Sequence, residues 1–123
     1  MIRHFVAEKR HIYFLATQES DLENRRTFQR QTAKALSLPH LDKASDLDWE
    51  FLFAEAVRAA HSTRLIIVID EFQYLGLVNA AFPSILQRLW DQQLAQANIM
   101  LIVCGSLLSL MESQVLKPPH NGP

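Results

Sequence analysis

Cysteine is almost missing from this sequence. Cys104 is the sole one among 123 residues, so it can neither close an internal disulfide nor join a clustered metal site. A reducing compartment, the cytoplasm, is the expected home. Glycine is scarce too: Gly76, Gly105 and Gly122 are the only ones, and none precedes a Lys-Ser or Lys-Thr pair. The sequence therefore holds no G-x-x-x-x-G-K-[ST] loop, the nest of backbone N–H groups that cradles phosphates. Long apolar runs are also lacking, and none approaches the ~18 residues needed to span a bilayer. The apolar run at 12–16 follows a basic start but soon meets Thr17-Gln18-Glu19, too early for a secretory leader. Neither export nor membrane insertion is expected. Charge of one sign is balanced away: twelve Lys and Arg against thirteen Asp and Glu give a formal net charge of -1. No global field draws such a chain to nucleic acid or to an anionic membrane.

The hydrophobic share is 49% and the charged share 20%, which suits one α/β domain with a sizeable core. Three short apolar runs stand out, Ile-Tyr-Phe-Leu-Ala at 12–16, Leu-Ile-Ile-Val-Ile at 65–69 and Ile-Met-Leu-Ile-Val at 99–103. They are continuous rather than alternating, as strands of a helix-covered parallel sheet are. Strands are accordingly expected at 12–16, 65–70 and 98–104. Helical spacing fills the gaps. Residues 21–37 place Leu22, Phe28, Ala35 and Leu36 toward one side, and Asp48 is a good cap for a helix over 49–61 with Leu52, Ala56, Val57 and Ala60 inward. Residues 80–96 carry Ile85, Leu86, Leu89, Trp90 and Leu94 on one face, with Pro83 tolerable only in the first turn. This alternation predicts a three-layer α/β sandwich around a parallel sheet.

The ends read differently. Ile2, Phe5 and Val6 have the spacing of an apolar helical face that starts without a cap, as the tail of something longer would. Lys117-Pro118-Pro119-His120-Asn121-Gly122-Pro123 suits neither a helix nor a central strand, so order is expected over 1–116 and a disordered tail over 117–123. His4, His11, His40, His61 and His120 are scattered without metal spacing and read as surface or loop residues. Arg26, Arg30 and Lys34 make a basic stripe, but Glu19, Asp21 and Glu23 stand close by, so a solvated helix face is favoured over a nucleic-acid contact. Trp49 and Trp90 are expected as core aromatics.

The chemistry concentrates where the second strand ends, in Asp70 and Glu71. Ligands of parallel α/β sheets bind outside the carboxyl ends of the strands, where this pair would emerge. There Asp70 would hold a magnesium ion through water, and Glu71 would orient and polarise a water attacking a γ-phosphate, the Walker B arrangement. A solvated strand terminus, with Asp70 capping the segment after it, fits the same two residues. The third strand runs into Cys104-Gly105-Ser106, placing the Ser106 hydroxyl near the end of a neighbouring strand. Ser106 suits a phosphate-sensing role there, and equally the N-cap of a helix at 107–115.

The runs LIIVIDEFQYL, AFPSILQRLWD and NIMLIVCGSLLSLME, with IYFLA and DWEFLFAEAV before them, resemble the archaeal-type ATPase family among the STAND and AAA-related P-loop NTPases. The likeness extends over about residues 2–116. It implies a partial P-loop core whose full-length parent binds and hydrolyses ATP with Mg2+, with Asp70 and Glu71 as the Walker B pair and Ser106 at the sensor position. The sequence departs from the family in lacking the Walker A loop, so this chain alone is expected to be inactive. In the family order the P-loop strand lies beside the strand leading to Ser106, so an open apolar edge at 99–103 is expected to invite a second copy or a protein partner. The alternatives are a non-catalytic interaction module, docking through that edge or through Phe72-Gln73-Tyr74-Leu75, and a degenerate relic of the same fold.

Overall fold

The computed structural model describes residues 9–105. The helical end at 2–6, Ser106, the helix start at 107–115 and the tail at 117–123 lie outside the described residues. Within them the chain runs β1 (His11–Leu15), α1 (Asp21–Ala35), α2 (Pro39–Lys43), α3 (Trp49–Ala59), β2 (Leu65–Asp70), α4 (Gln73–Val78), α5 (Phe82–Gln92), a 3-10 turn (Leu94–Gln96) and β3 (Ile99–Val103). The strands form one parallel sheet in the order β1-β2-β3. The α/β architecture with a parallel sheet is therefore as the sequence predicts, and it is consistent with a partial P-loop NTPase-like core.

Burial separates the strands by rank. Leu65 to Ile69 of β2 are all buried, whereas β1 and β3 expose Leu15, Met100 and Val103. A continuous apolar run is required only of the strand with neighbours on both sides. Register then fixes the two faces, because successive side chains alternate. Tyr13 lies opposite Val68 and Val68 opposite Ile102, while Phe14 lies opposite Ile69 and Ile69 opposite Val103. Ile12, Phe14, Leu65, Ile67, Ile69 and Ile99 share one core with Phe28, Leu52, Phe53, Leu75, Phe82 and Leu89, so α1, α3, α4 and α5 pack on that face. The opposite face carries a smaller cluster of Ile66 and Val68 with Tyr13 and Ile102 against it. The sheet and one helical layer of the expected sandwich thus lie within the described residues.

Local chemistry sets the helix ends. Ser20 accepts a 3.1 Å hydrogen bond from the Glu23 N–H and Asp48 a 2.8 Å bond from the Phe51 N–H, so each caps donors that have no partner inside the helix. The helix expected over 80–96 is shorter. It stops at Gln92, and the 3-10 turn after it seats Leu94, fully buried, where a straight helix would not deliver it. Trp90 corrects another expectation: it is 37% exposed, while Trp49 is buried. His11 is not a loop residue but opens β1, half-buried, with its Nδ1 2.7 Å from the Lys9 carbonyl.

A run of rings forms the centre of the helical layer. Phe14 and Phe28 stand 5.3 Å apart, Phe28 and Trp49 5.7 Å, Trp49 and Phe82 5.0 Å edge to face, and Phe82 and Phe72 5.9 Å. Tilted and edge-to-face pairs of this kind add to simple burial. The run ends on Phe72, so the corner after β2 is tied to the core one residue past Glu71.

Candidate functional site

Asp70 is the last residue of β2, the one strand of the three paired on both sides. By alternation its side chain lies on the face of Ile66 and Val68, opposite the helical layer. Leu15 is its register partner on β1, and Cys104 continues the ladder on the other side, its N–H donating to the Ile69 carbonyl at 2.9 Å. Both carboxylate oxygens are engaged. The Tyr13 hydroxyl donates to Oδ2, and the Glu71 N–H donates to Oδ1 at 2.9 Å. Two donors on one carboxylate fix its rotamer, and each oxygen retains acceptor capacity, since an ionised carboxylate offers about four acceptor positions in all.

Glu71 turns the chain. Its φ of 56° lies in the left-handed region, where a side-chain-bearing residue costs about 1–2 kcal/mol. The corner is held from both flanks: the Phe72 N–H donates to the Cys104 carbonyl at 2.9 Å, and the Phe72 ring packs on Phe82. The Glu71 carboxylate is fixed separately from that of Asp70, because Gln73 Nε2 donates to its Oε1 at 2.8 Å. Gln73 is only 8% exposed, and its own Oε1 is buried without a hydrogen-bond partner. An orphaned buried acceptor costs about 1–3 kcal/mol. Two local costs therefore fall within three residues, both at the tip of the central strand.

Cys104 completes the neighbourhood. Burial, and then the negative charge of Asp70, push its thiol above the ordinary range, so it stands beside the acidic pair as a neutral thiol and not as a thiolate nucleophile. Among the described residues no three His, Cys, Asp or Glu side chains converge as a metal cage. A magnesium ion that keeps most of its waters needs only one or two carboxylates beside the substrate phosphates, and the hard oxygens of Asp70 fit that demand.

The structure thus places Asp70 and Glu71 in sequence and in bonding contact at the carboxyl end of β2, each held by a different side chain. Ser106 lies outside the described residues. In Phe72-Gln73-Tyr74-Leu75, Gln73 and Leu75 are buried while Phe72 and Tyr74 are half-buried. The basic stripe on α1 is partly spent inside the chain: Asp46 and Glu23 both accept from the Arg26 guanidinium. Two residues of the site were not assigned to it from the sequence. Tyr13 meets Asp70 only through the register of β1 against β2, which no local spacing reveals. Gln73 did leave a signal, as the one amide inside the otherwise apolar stretch from Phe72 to Leu75.

Comparison with known proteins adds three findings. A family described as an ATPase domain predominantly from Archaea matches residues 1–119. An uncharacterized protein of Methanocaldococcus jannaschii is 46% identical over 43 residues, which cover 35% of this chain and 42% of that protein, less than half of its length. No solved structure matches the chain.

Proposed function

The chain belongs to the family of ATPase domains found predominantly in Archaea, and from that membership we propose that Asp70 and Glu71 are the Walker B pair of an ATP-hydrolysing site. The observation that carries this reading is the pair's position, at the carboxyl end of the fully buried central strand, with each carboxylate immobilised by its own donor. Immobilisation of that kind is what positioning and electrostatic catalysis of phosphoryl transfer require. The order β1-β2-β3 supports placement among the STAND and AAA-related P-loop NTPases. It leaves the acidic strand flanked by the preceding strand and by the strand that leads to Ser106.

In this mechanism Asp70, oriented by Tyr13 and the Glu71 N–H, would hold a magnesium ion through water. Such an ion would supply charge neutralisation of the substrate phosphates. Glu71 accepts a proton from, or a hydrogen bond of, the water that attacks the γ-phosphate, and its carboxylate is aimed by Gln73. Ser106 is assigned the sensing of the γ-phosphate from its place two residues past Cys104. These 123 residues contain no G-x-x-x-x-G-K-[ST] loop, so this reading needs a phosphate cradle supplied by another segment.

ATP turnover and magnesium-dependent nucleotide binding by the full-length gene product test the reading. Glu71→Gln is expected to lower kcat by about 100-fold or more while nucleotide still binds, and Asp70→Asn to weaken the magnesium dependence of binding. Unchanged turnover in Glu71→Gln would remove the assignment. One observation favours a second reading, a docking module that accepts another strand along β3: among the described residues β3 pairs only with β2, and Met100 and Val103, on its two faces, are 37% and 45% exposed. That reading gains if Met100→Lys abolishes self-association or partner binding while both acidic substitutions change nothing.

A further inference from the structure

We propose that Gln73 is the positioning residue of the site, a clamp that holds the Glu71 carboxylate in one orientation; this rests on the role given to Glu71 above. The geometry is specific to the corner. Gln73 is the first residue of α4, two positions past Glu71, and its Nε2 lies 2.8 Å from Glu71 Oε1. The side chain is more than nine-tenths buried, so its amide has little rotational freedom.

The orphaned oxygen shows which contact decides the orientation. A carboxamide can turn over and exchange its oxygen and nitrogen at almost no change in shape. Turned over, Gln73 would set its carbonyl oxygen against the Glu71 carboxylate, two acceptors at hydrogen-bonding distance. Kept as it is, Gln73 satisfies Glu71 and leaves its own Oε1 buried and unbonded. A side chain serving only the fold would be better replaced by an apolar one of the same size, because the buried oxygen finds no donor there. The left-handed backbone of Glu71 brings the two side chains within reach across a single intervening residue. Conformation and amide thus act on one carboxylate.

The test is made on the full chain by NMR, through the order parameter of the Glu71 side-chain methylenes. In the unaltered chain Glu71 is expected to be as ordered as rigid backbone, with an order parameter of about 0.85; in Gln73→Leu it should fall below about 0.6 while the backbone spectrum elsewhere is retained. Should Gln73→Leu not fold, Glu71→Ala reads the same bond from the other side. The Gln73 Nε–H2 pair, protected from solvent exchange in the unaltered chain, should lose that protection. A Glu71 that stays ordered without Gln73, or an amide indifferent to Glu71→Ala, overturns the proposal. Turnover by the full-length gene product separates it from the parent reading. Gln73→Leu is expected to lower kcat at least tenfold with an unchanged KM for ATP. If Glu71→Gln abolishes turnover and Gln73→Leu leaves kcat intact, the clamp is overturned and the Walker B assignment stands. If Glu71→Gln has no effect, that assignment falls, and the order parameters alone still decide whether Gln73 holds Glu71.

Discussion

Two described residues other than glycine adopt a positive φ, Ser37 at 55° and Glu71 at 56°, and the corners they make differ in what surrounds them. Ser37 comes after α1. Leu38 N–H donates to the Ala33 carbonyl at 2.8 Å and Ser37 N–H to the Lys34 carbonyl at 3.3 Å, the paired bonds that close a helix through a left-handed residue. There the strain has a complete structural reason: it satisfies carbonyls that the helix end leaves open. Glu71 closes no helix. Its corner turns the chain out of a strand, keeps a carboxylate at the tip, and lies beside an amide with an unbonded buried oxygen. The same backbone conformation is therefore a helix cap in one place and, in the other, a strand-end corner whose carboxylate is held by Gln73.

Substituting glycine at the second corner tests that contrast most severely. Glu71→Gly relieves the left-handed strain and removes the carboxylate, so kcat should fall by about 100-fold or more, while folding free energy changes by less than about 1 kcal/mol because relieved strain offsets the lost Gln73 contact. Urea melts of this chain, alongside ATP turnover by the full-length gene product with the same substitution, read both quantities. A large loss of stability with turnover intact would make Glu71 a structural corner like Ser37. A smaller effect is expected one strand away. Tyr13→Phe keeps the ring and deletes the hydroxyl that donates to Asp70, and turnover should drop about tenfold, the worth of about 1.4 kcal/mol, with the magnesium requirement shifted to higher concentration. Turnover at the unaltered magnesium optimum would show that Asp70 needs no such support.

The contrast also explains what could be read in advance. The three strands and the helices α1, α3 and α5 were legible because each buries an apolar stretch long enough to show its period, and Asp70 and Glu71 were legible because adjacent acids end such a stretch. α2 and α4 were not, being five and six residues long, too short for a period to emerge. Neither left-handed corner could be foreseen from Ser37 or Glu71, because neither is glycine; the first is set by the bonds that close α1 and the second is flanked by the Phe72 N–H bond to the Cys104 carbonyl at β3's end. Tyr13 was hidden by register, and Trp90 stands beside the buried stripe of α5 formed by Phe82, Leu86 and Leu89, not in it. Local chemistry was readable; side chains brought together by pairing were not.

The start of α1 offers a third, milder way to sharpen the comparison. Burial alone would raise the pKa of Asp21, but hydrogen bonds from Trp49, Asn79 and Arg25, with the charge of Arg25, outweigh it and hold the carboxyl below its ordinary value. A group depressed in the folded chain stabilises fully above its unfolded pKa and loses that contribution as pH falls through the folded one. Stability should therefore decline below about pH 4 in the unaltered chain. Asp21→Asn should be less stable at neutral pH by about 1–2 kcal/mol, and the difference should shrink on acidification. Since Asp21 braces the helical layer, the Glu71 order parameter should not move with it. If it does, the two regions are one cooperative unit and the contrast between them dissolves.

The smallest effect expected is at the first corner itself. Ser37→Gly places at the end of α1 the residue that adopts a left-handed φ without a steric penalty, so the chain should become more stable by about 0.5–1 kcal/mol, even after glycine's greater freedom in the unfolded state is counted. Thermal melts of the two chains side by side would show the gain as a rise of a few degrees. Turnover and the Glu71 order parameter should stay where they were, because the hydrogen bonds that close α1 reach no residue of the β2 tip. A destabilised Ser37→Gly would mean that the serine itself contributes at this corner, and strain without function could then no longer serve as the reference against which Glu71 is judged.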